Sequence, residues 1–452
     1  MAKKKTQTIF KCSNCGYTQP RWMGRCPDCG EWNSFQECSL DKNSTTPGFS
    51  GTNGNVAIKA KPIPLANVDP MEGTRISTGI TEFDRVLGGG AMKRSAILIG
   101  GEPGIGKSTL LLQTLAAVAA RKITGRILYV SGEESANQIR ARADRLQLSC
   151  ANIEILCTTR LEDVEDALNA LNPVFTVIDS IQTMFSQEAG SIPSTINQLK
   201  YCANDLISWV KERDAILCMS AHITKEGSIA GPKSLEHMVD TVISFEKNND
   251  EIRFLRALKN RFGSIDELGL FAMGEKGLSI VEDPSTMFIT RREDTMPAGI
   301  AIVPVSEGSR IFMVEIQALT VPAKASFTRV YSEKIDSARV SRIAAVIEKR
   351  AGIKFSDQDI YINVAGGFKL TESAIDAGIA AALYSARTDM PLKKGIAVVG
   401  EISLAGEIRP VTKLKQRVKA AETLGFNNVI CPEKENGCTR VQNIKELVKL
   451  IF

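Results

Sequence analysis

One segment, GGEPGIGKST, constrains the fold of this 452-residue chain more than any other. It lies between an apolar strand-like stretch at 96–99 and the helical sequence STLLLQTLAAVAAR, and this strand, loop and helix order is typical of a phosphate-binding loop in an α/β protein. The loop's backbone N–H groups would surround a phosphate at the helix N-terminus, Lys107 would reach the β- and γ-phosphates, and Ser108 would ligate Mg²⁺. The predicted ATP- and Mg²⁺-binding residues are Gly101, Glu102, Pro103, Gly104, Ile105, Gly106, Lys107, Ser108 and Thr109.

Acidic residues follow two other apolar strand-like segments. Asp179 ends VFTVID and is predicted to act at the Mg²⁺ ion, because doubly wound sheets bind ligands at the carboxyl ends of their strands. Glu133 and Glu134 follow ILYVS, and either could polarise the attacking water. We favour Glu133, while Glu134 also suits the start of a helix as a solvated acid.

Four cysteines near the start are spaced for metal binding. The spacing Cys12-x2-Cys15-x10-Cys26-x2-Cys29 forms two knuckles that suit tetrahedral Zn²⁺, with reduced thiols or redox chemistry as the alternative. Residues 1–38 are therefore predicted to be a C4 zinc-finger module. Residues 39–67 are rich in Ser, Thr, Asn, Gly and Pro and are predicted to be a flexible linker.

The rest of the chain predicts two further α/β regions. Strand-like and helical segments alternate from 68 to 290, which indicates a parallel sheet covered by helices, and a second α/β pattern covers 296–452. The composition, 43% apolar and 24% charged, is that of a soluble globular protein. We find no export or membrane segment and expect a cytoplasmic protein that binds no membrane. The net charge of +5 arises within residues 1–67, so it permits nucleic-acid binding without requiring it.

Two cationic features remain after the phosphate-binding loop is assigned. The stretch LKNRFG contains Lys259 and Arg261 at a predicted strand end, and this second cationic pair requires either a second anion or a second subunit. His222 follows the strand-like AILCMSA and begins a loop with Lys225 and Lys233. His222 could sense a γ-phosphate and the two lysines are predicted DNA contacts, although the loop could also be a simple surface connection.

The motifs together resemble the bacterial RadA (Sms) family of DNA-repair proteins. The resemblance rests on TGITEFDRVLGGG, GGEPGIGKSTLLLQ, YVSGEES, VIDSIQT, KNRFG and the four-cysteine start, and it spans nearly the whole chain. It implies a RecA-like P-loop ATPase core with an N-terminal C4 zinc ribbon and a C-terminal Lon-type α/β domain. It also implies a homohexameric, ATP-driven motor on single-stranded and branched DNA that promotes branch migration in homologous recombination with a RecA-type recombinase.

The same resemblance assigns a role to the second cationic pair. In RecA-like rings ATP lies between subunits, so Lys259 and Arg261 are expected to face the γ-phosphate bound by the neighbouring subunit and to be catalytic together with Lys107 and Glu133. The alternative is that the pair binds DNA phosphate or a local carboxylate.

The segment from about 350 onward resembles the proteolytic domain of Lon. Lys415 falls near the position of the catalytic lysine, but the nucleophile position is occupied by Ala374 rather than Ser373, and the Gly-Pro-Ser-Ala-Gly element is absent. We therefore expect the fold without proteolysis. The functions kept as alternatives are an ATP-dependent Lon-like peptidase and a RecA-fold switch or autokinase that acts without DNA. The cations Lys413, Lys415, Arg417 and Lys419 are either a DNA-binding surface or a solvated helix face.

Overall fold

The computed structural model divides the chain into two compact units, Met1–Pro70 and Met71–Phe452. The structure describes residues 8–12, 18–19, 24, 35–39, 64–67, 75–121, 125–190, 195–222, 234–247, 252–282, 287–290, 292, 296–323, 328–367 and 369–452.

The first unit contains a three-stranded antiparallel sheet of β1 (Thr8–Cys12), β2 (Thr18–Gln19) and β3 (Phe35–Ser39), with β1 in the centre. Cys12 ends β1 and pairs in register with Phe35. The other predicted zinc ligands, Cys15, Cys26 and Cys29, lie outside the described residues, so the four-cysteine site stays a prediction.

The first part of the second unit alternates strands and helices, as the sequence predicts. Its strands are β4 (Arg75–Ile76), β5 (Ala91–Met92), β6 (Ser95–Gly101), β7 (Ile127–Ser131), β8 (Ile153–Cys157), β9 (Phe175–Asp179), β10 (Ile216–His222), β11 (Thr241–Lys247), β12 (Ile252–Asn260), β13 (Leu268–Gly274) and β14 (Gly277–Ile280). Its helices are α1 (Thr81–Leu87), α2 (Lys107–Ala120), α3 (Ala136–Arg145), α4 (Leu161–Leu171), α5 (Ile196–Lys211) and α6 (Ser234–Met238).

Strands β6 to β14 form a nine-stranded sheet in the order β14-β13-β12-β11-β6-β10-β9-β7-β8, and β4 pairs with β5 in a separate two-stranded sheet. Strands β8, β7, β9, β10, β6 and β11 run parallel, whereas β12, β13 and β14 continue the sheet in antiparallel fashion. The central strands β6, β7 and β9 are buried along their whole length, because apolar side chains on both of their faces pack under helices. Apolar clusters fill both sides of the sheet.

The sheet topology assigns the predicted site residues to two opposite edges. The carboxyl ends of β6, β7, β9 and β10 meet at one edge, which carries the phosphate-binding loop and the acids. Strand β12 runs antiparallel to β11 and therefore ends at the other edge: Asn260 pairs with Thr241, which pairs with Ile97 near the start of β6.

The second part of this unit is a smaller α/β assembly. Its strands are β15 (Ile300–Glu307), β16 (Arg310–Pro322), β17 (Val330–Ser332), β18 (Gln358–Val364), β19 (Ile396–Val398), β20 (Glu401–Ile402), β21 (Ile408–Arg409), β22 (Asn428–Cys431) and β23 (Cys438–Arg440). Its helices are α7 (Ser337–Ala351), α8 (Asp376–Thr388), α9 (Leu414–Thr423) and α10 (Ile444–Ile451). The strands form a four-stranded sheet (β15-β16-β18-β17), a three-stranded sheet (β19-β22-β23) and the β20-β21 hairpin.

One apolar core joins the two parts of the second unit. Ile252 and Phe254 of β12 and Leu268 and Leu270 of β13 are buried in the same cluster as the side chains of β15, β16, α7 and α8. Strands β12 and β13 thus belong at once to the nine-stranded sheet and to the C-terminal core. The boundary between 68–290 and 296–452 stays a prediction.

Among the described residues, no helix combines the length and apolar character needed to cross a bilayer.

Candidate active site

The phosphate-binding loop joins β6 to α2 in a conformation that only glycine adopts readily. Gly104 has φ +76° and faces open space, and Gly106 has φ +116° with the Cε of Met273 only 2.5 Å from where a Cβ would lie. Helix α2 starts at Lys107 without a side-chain cap, so its first N–H groups remain for another acceptor. The uncapped helix start and the space beside Gly104 fit the phosphates of a nucleotide.

Lys107 lies inside this loop and is almost fully buried. Its Nζ donates to the carbonyl oxygens of Gly101 (2.8 Å) and Glu102 (3.1 Å) and lies 3.3 Å from Nδ1 of His222. Burial lowers the pKa of Lys107, while the charges of Asp179 and Glu133 oppose that shift. The ammonium group is thus held by weak neutral acceptors that a phosphate can replace.

Asp179 ends β9 with both carboxylate oxygens hydrogen-bonded. The Tyr129 hydroxyl donates to Oδ2 and the Ser220 hydroxyl donates to Oδ1, each at 2.6 Å. Burial, followed by the charge and hydrogen bond of Asp179, raises the pKa of Tyr129 well above its ordinary value, so this hydroxyl remains a donor. The two hydroxyls come from β7 and β10, the strands on either side of β9, and they fix the carboxylate beside the phosphate-binding loop.

The two candidate acids after β7 have different surroundings. Oε1 of Glu133 lies 3.3 Å from Nε2 of His222, whose other ring nitrogen faces Lys107. Glu134 accepts a hydrogen bond from Arg142 of α3 and forms an ion pair with it. Because the Glu134 carboxylate is already paired with an arginine, this geometry supports Glu133 as the residue that orients water.

Lys259 and Arg261 lie at the opposite edge of the sheet. Nζ of Lys259 donates to the carbonyl oxygens of Glu236 and Val239, each at 2.7 Å, at the end of α6. Nη1 of Arg261 lies 3.4 Å from Oδ1 of the buried Asp240, and its side chain is 55% exposed. The structure therefore does not bring these cations together with Lys107, Glu133 and Asp179 within one protomer.

The predicted DNA contacts Lys225 and Lys233 lie outside the described residues. His222, which precedes them, is held at the end of β10 by Gln182, whose Oε1 accepts from the His222 backbone N–H at 2.9 Å.

The C-terminal part contains a cavity of about 510 Å³ beside Ser373, at the start of α8. Among the described residues that line it, the basic ones are Arg339, Arg342 and Arg409, and none is a lysine. Arginine cannot serve as the neutral base that a Ser-Lys dyad requires. Lys415 is exposed on α9 and is not among these lining residues. The expected absence of proteolysis stays a prediction.

Arg417 belongs neither to a DNA-binding surface nor to a solvated helix face, so both interpretations of the four cations are wrong for this residue. Its side chain is fully buried and donates to both carboxylate oxygens of Glu372, at 2.9 and 2.6 Å. The four-cation helix face therefore loses one member, because Arg417 stabilises the interior of the C-terminal part.

Sequence reasoning missed several residues that support the site. Tyr129, Ser220 and Gln182 are buried or half-buried in the structure. In the sequence, the signal for these residues is their position among apolar neighbours. Arg253, a buried cation in the apolar strand β12, donates from Nε to the carbonyl oxygen of Ile105 at 3.3 Å.

Two relatives that share one name match nearly the whole chain. DNA repair protein RadA of Treponema pallidum (strain Nichols) is 62% identical over 434 residues, covering 95% of this chain and 92% of the relative. DNA repair protein RadA of Bacillus subtilis (strain 168) is 42% identical over 443 residues, covering 98% and 96%. The chain belongs to the RadA family of DNA repair proteins.

Three segment matches agree with the division expected of a RadA family member. Residues 10–37 match a family described as rubredoxin metal binding domain, residues 76–155 match an ATPase family described as KaiC, and residues 328–435 match a family described as subunit ChlI of Mg-chelatase. The predicted fold class is confirmed: an α/β protein with an N-terminal zinc ribbon, a RecA-like P-loop ATPase core and a C-terminal Lon-type domain.

The predicted cofactors of this RadA family member are also confirmed. The zinc ribbon uses Zn²⁺, and the ATPase core uses ATP and Mg²⁺ and hydrolyses ATP. Ser108 and Asp179 are the residues that would hold Mg²⁺, which supplies charge neutralisation at the phosphates when it is bound. The carboxylate of Asp179, fixed by two hydroxyls, provides the hard oxygen donors that this ion prefers.

Proposed function

We propose that this RadA family protein is an ATP-driven motor on single-stranded DNA that promotes branch migration of recombination intermediates. It acts as a homohexameric ring beside a RecA-type recombinase. ATP hydrolysis in the ring is stimulated by DNA and occurs at sites shared by adjacent subunits.

The observation that carries this proposal is the placement of Lys259 and Arg261 at the edge opposite the phosphate-binding loop. Strand β6 advances roughly 13 Å from Ile97, at the level of β12's end, to Gly101. Lys259 also points toward the carbonyl oxygens of α6 rather than toward its own loop. This placement supports a role for the pair at a nucleotide bound by another protomer.

The residues divide the reaction between two subunits. In one subunit Lys107 binds the β- and γ-phosphates and Glu133 orients the attacking water. The neighbour's Lys259 and Arg261 stabilise the charge that develops on the transferred phosphoryl group, an effect worth ~10³ to 10⁵ in rate for such a cation.

His222 links the nucleotide site to the DNA. Its ring lies between Lys107 and Glu133, 3.3 Å from each, where a γ-phosphate would displace these contacts. The loop that follows it carries Lys225 and Lys233, the candidate DNA contacts. A shift of His222 would thus change the position of this loop during each hydrolysis cycle.

The experiment compares ATP hydrolysis with and without single-stranded DNA over a range of salt concentrations. We expect stimulation by DNA that weakens steeply with salt, because phosphate contacts release counterions. A labelled three-strand junction then measures branch migration. If DNA of every length left the rate of ATP hydrolysis unchanged, the proposed motor function would be contradicted. If DNA stimulated hydrolysis but the junctions did not migrate, only the proposed branch migration would be contradicted.

A further inference from the structure

The tip of the β15-β16 hairpin, residues 307–310, docks onto the segment that connects β12 to β13. We call these the hairpin tip and the cation turn, the latter being residues 261–267, which begins with Arg261. The backbone N–H of Ser309 donates to the carbonyl oxygen of Asp266 at 2.7 Å, and the Ser309 hydroxyl donates to Oε2 of Glu267 at 2.6 Å. The Lon-type domain thus contacts the same short turn that carries a proposed catalytic cation.

The hairpin tip packs tightly against the cation turn. Gly308 has φ +60°, and a Cβ at this position would lie 1.9 Å from the carbonyl oxygen of Asp266. Lys413 of the Lon-type domain donates to the carbonyl oxygen of Gly308 at 2.6 Å and holds the tip from its other side. Any side chain at Gly308 would push the hairpin tip away from the cation turn.

A buried ion pair strengthens the contact. Nη2 of Arg310 lies 2.6 and 2.7 Å from the two carboxylate oxygens of Glu82 in α1, and Glu82 also accepts the backbone N–H of Leu270 at 2.9 Å. Both side chains are largely buried. Arg256 of β12 pairs with Glu307 at the start of the tip. The hairpin tip therefore binds α1, β12 and β13 together.

The other side of the cation turn rests on the loop after α1. Arg75 donates to the carbonyl oxygen of Phe262 and also to the carbonyl oxygens of Leu87 (3.0 Å) and Gly90 (2.9 Å). The cation turn is thus held between two surfaces, the loop after α1 and the hairpin tip.

We propose that the hairpin tip is a positioning element for catalysis in the neighbouring subunit, with Arg310 as its central residue. The inference rests on the proposed function, because it requires that Lys259 and Arg261 complete the neighbour's site. Arg310 is a positioning residue that acts through its contacts with Glu82. It fixes α1 and β13, and through them how far and in which direction the Arg261 side chain projects from the protomer.

The test is complementation between two impaired variants. Arg310→Ala keeps its own phosphate-binding loop but presents a displaced cation pair, and a misplacement of about 1 Å costs about 10²-fold in turnover. Lys107→Ala has a defective loop but an intact cation pair. We expect each variant alone to be slow. An equimolar mixture should regain turnover, because about one interface in four of a random ring joins an intact loop to an intact pair.

Two further measurements separate a positioning role of the hairpin tip from a general loss of folding or of nucleotide binding. Arg310→Ala should bind a fluorescent ATP analogue as wild type does, so the loss falls on kcat and not on KM. Arg409→Ala, which removes an exposed arginine from the other hairpin of the same domain, should hydrolyse ATP as wild type does. If Arg310→Ala does not fold, Ser309→Ala, which removes only the hydroxyl contact with Glu267, takes its place and should show a smaller loss of the same kind.

The mixture of Arg261→Ala with Lys107→Ala distinguishes failure of the positioning role from failure of the site shared between subunits. If that mixture regains turnover and the mixture with the hairpin variant does not, catalysis across subunits stands and the positioning role is overturned. If neither mixture regains turnover, the shared site itself is overturned. Unchanged kcat in both hairpin variants would also overturn the positioning role.

Discussion

Two lysines, Lys107 and Lys259, lie at opposite edges of the nine-stranded sheet and differ in what surrounds them. Both ammonium groups donate to main-chain carbonyl oxygens of their own chain, and burial lowers the pKa of both. Carboxylates oppose this shift at both sites, Asp179 and Glu133 at Lys107 and Asp240 and Glu236 at Lys259. At Lys259 the neighbouring cations Arg261 and Lys211 lower the pKa further. The first environment retains a cation until phosphate arrives, and the second favours the approach of an additional anion.

In the proposed function, the two halves of one reaction occupy opposite ends of the same nine-stranded sheet. One edge has acids, hydroxyls and an uncapped helix start, which bind a metal and a nucleotide. The other edge has a cation pair supported by a second domain. Mutations at the two edges should therefore have different kinetic signatures, even when both stop turnover.

The largest effect is expected for Lys107→Ala. The loss of its charge weakens both nucleotide binding and the transition state, so kcat/KM should fall by about 10⁴-fold or more. Steady-state hydrolysis together with titration of a fluorescent ATP analogue measures both parts. Unchanged nucleotide affinity would contradict the role of Lys107 at the phosphates.

Arg261→Ala should come next, with kcat reduced about 10³-fold and nucleotide affinity preserved. The reason is that, in the proposed function, Arg261 meets the nucleotide of another protomer and not that of its own. Arg94→Ala is the matched control, since Arg94 is an exposed arginine that precedes β6 at the same edge and pairs with Asp214. Equal losses in the two variants would show that the edge as a whole, rather than the cation pair, matters.

Tyr129→Phe should have a smaller effect at the acidic edge. It removes one of the two hydroxyls that hold Asp179, at a cost of about 1 to 3 kcal/mol in the free energy of unfolding. We expect roughly tenfold slower turnover and a higher half-saturating Mg²⁺ concentration, which can be read from metal-dependent nucleotide binding as well as from hydrolysis. Ser220→Ala, at the other oxygen, should act in the same direction. An unchanged Mg²⁺ requirement in both variants would show that the hydroxyls do not orient the carboxylate.

The smallest effect concerns the pH dependence of stability. Because burial and Arg261 lower the pKa of Lys259, the unfolded chain binds a proton that the folded chain lacks between this lowered pKa and the ordinary one. In that alkaline window the stability of wild type should rise with pH relative to Lys259→Gln. Chemical denaturation at several pH values measures the difference. A difference that falls with pH would mean that the hydrogen bonds of Lys259 to the carbonyl oxygens of Glu236, His237 and Val239 raise its pKa instead.

Some of these features could be predicted from the sequence because they are local. The phosphate-binding loop is a contiguous strand, loop and helix, and Asp179 follows an apolar run, so residue order alone placed both at strand ends. Glu133 and Glu134 could not be separated, since the partner of Glu134, Arg142, lies two turns into the next helix.

Other features depend on which segments become neighbours in space. Tyr129 and Ser220 meet at Asp179 only because β7 and β10 flank β9, and the order of strands in a sheet is not written in any one of them. The buried Arg417 and the docking of Arg310 on Glu82 likewise require contacts between residues more than forty positions apart. Charged residues are mostly exposed in folded proteins, so the sequence does not mark these residues as buried.

The separation of Lys107 from Lys259 and Arg261 has a topological consequence. In the proposed arrangement, a closed ring would have as many complete hydrolytic centres as members, whereas a ring that opens to admit a strand of DNA without free ends would lose the centre at the gap. The protomer beside the gap would bind its nucleotide but would not hydrolyse it. Entry of the strand and full hydrolytic activity would therefore exclude each other until the ring closes.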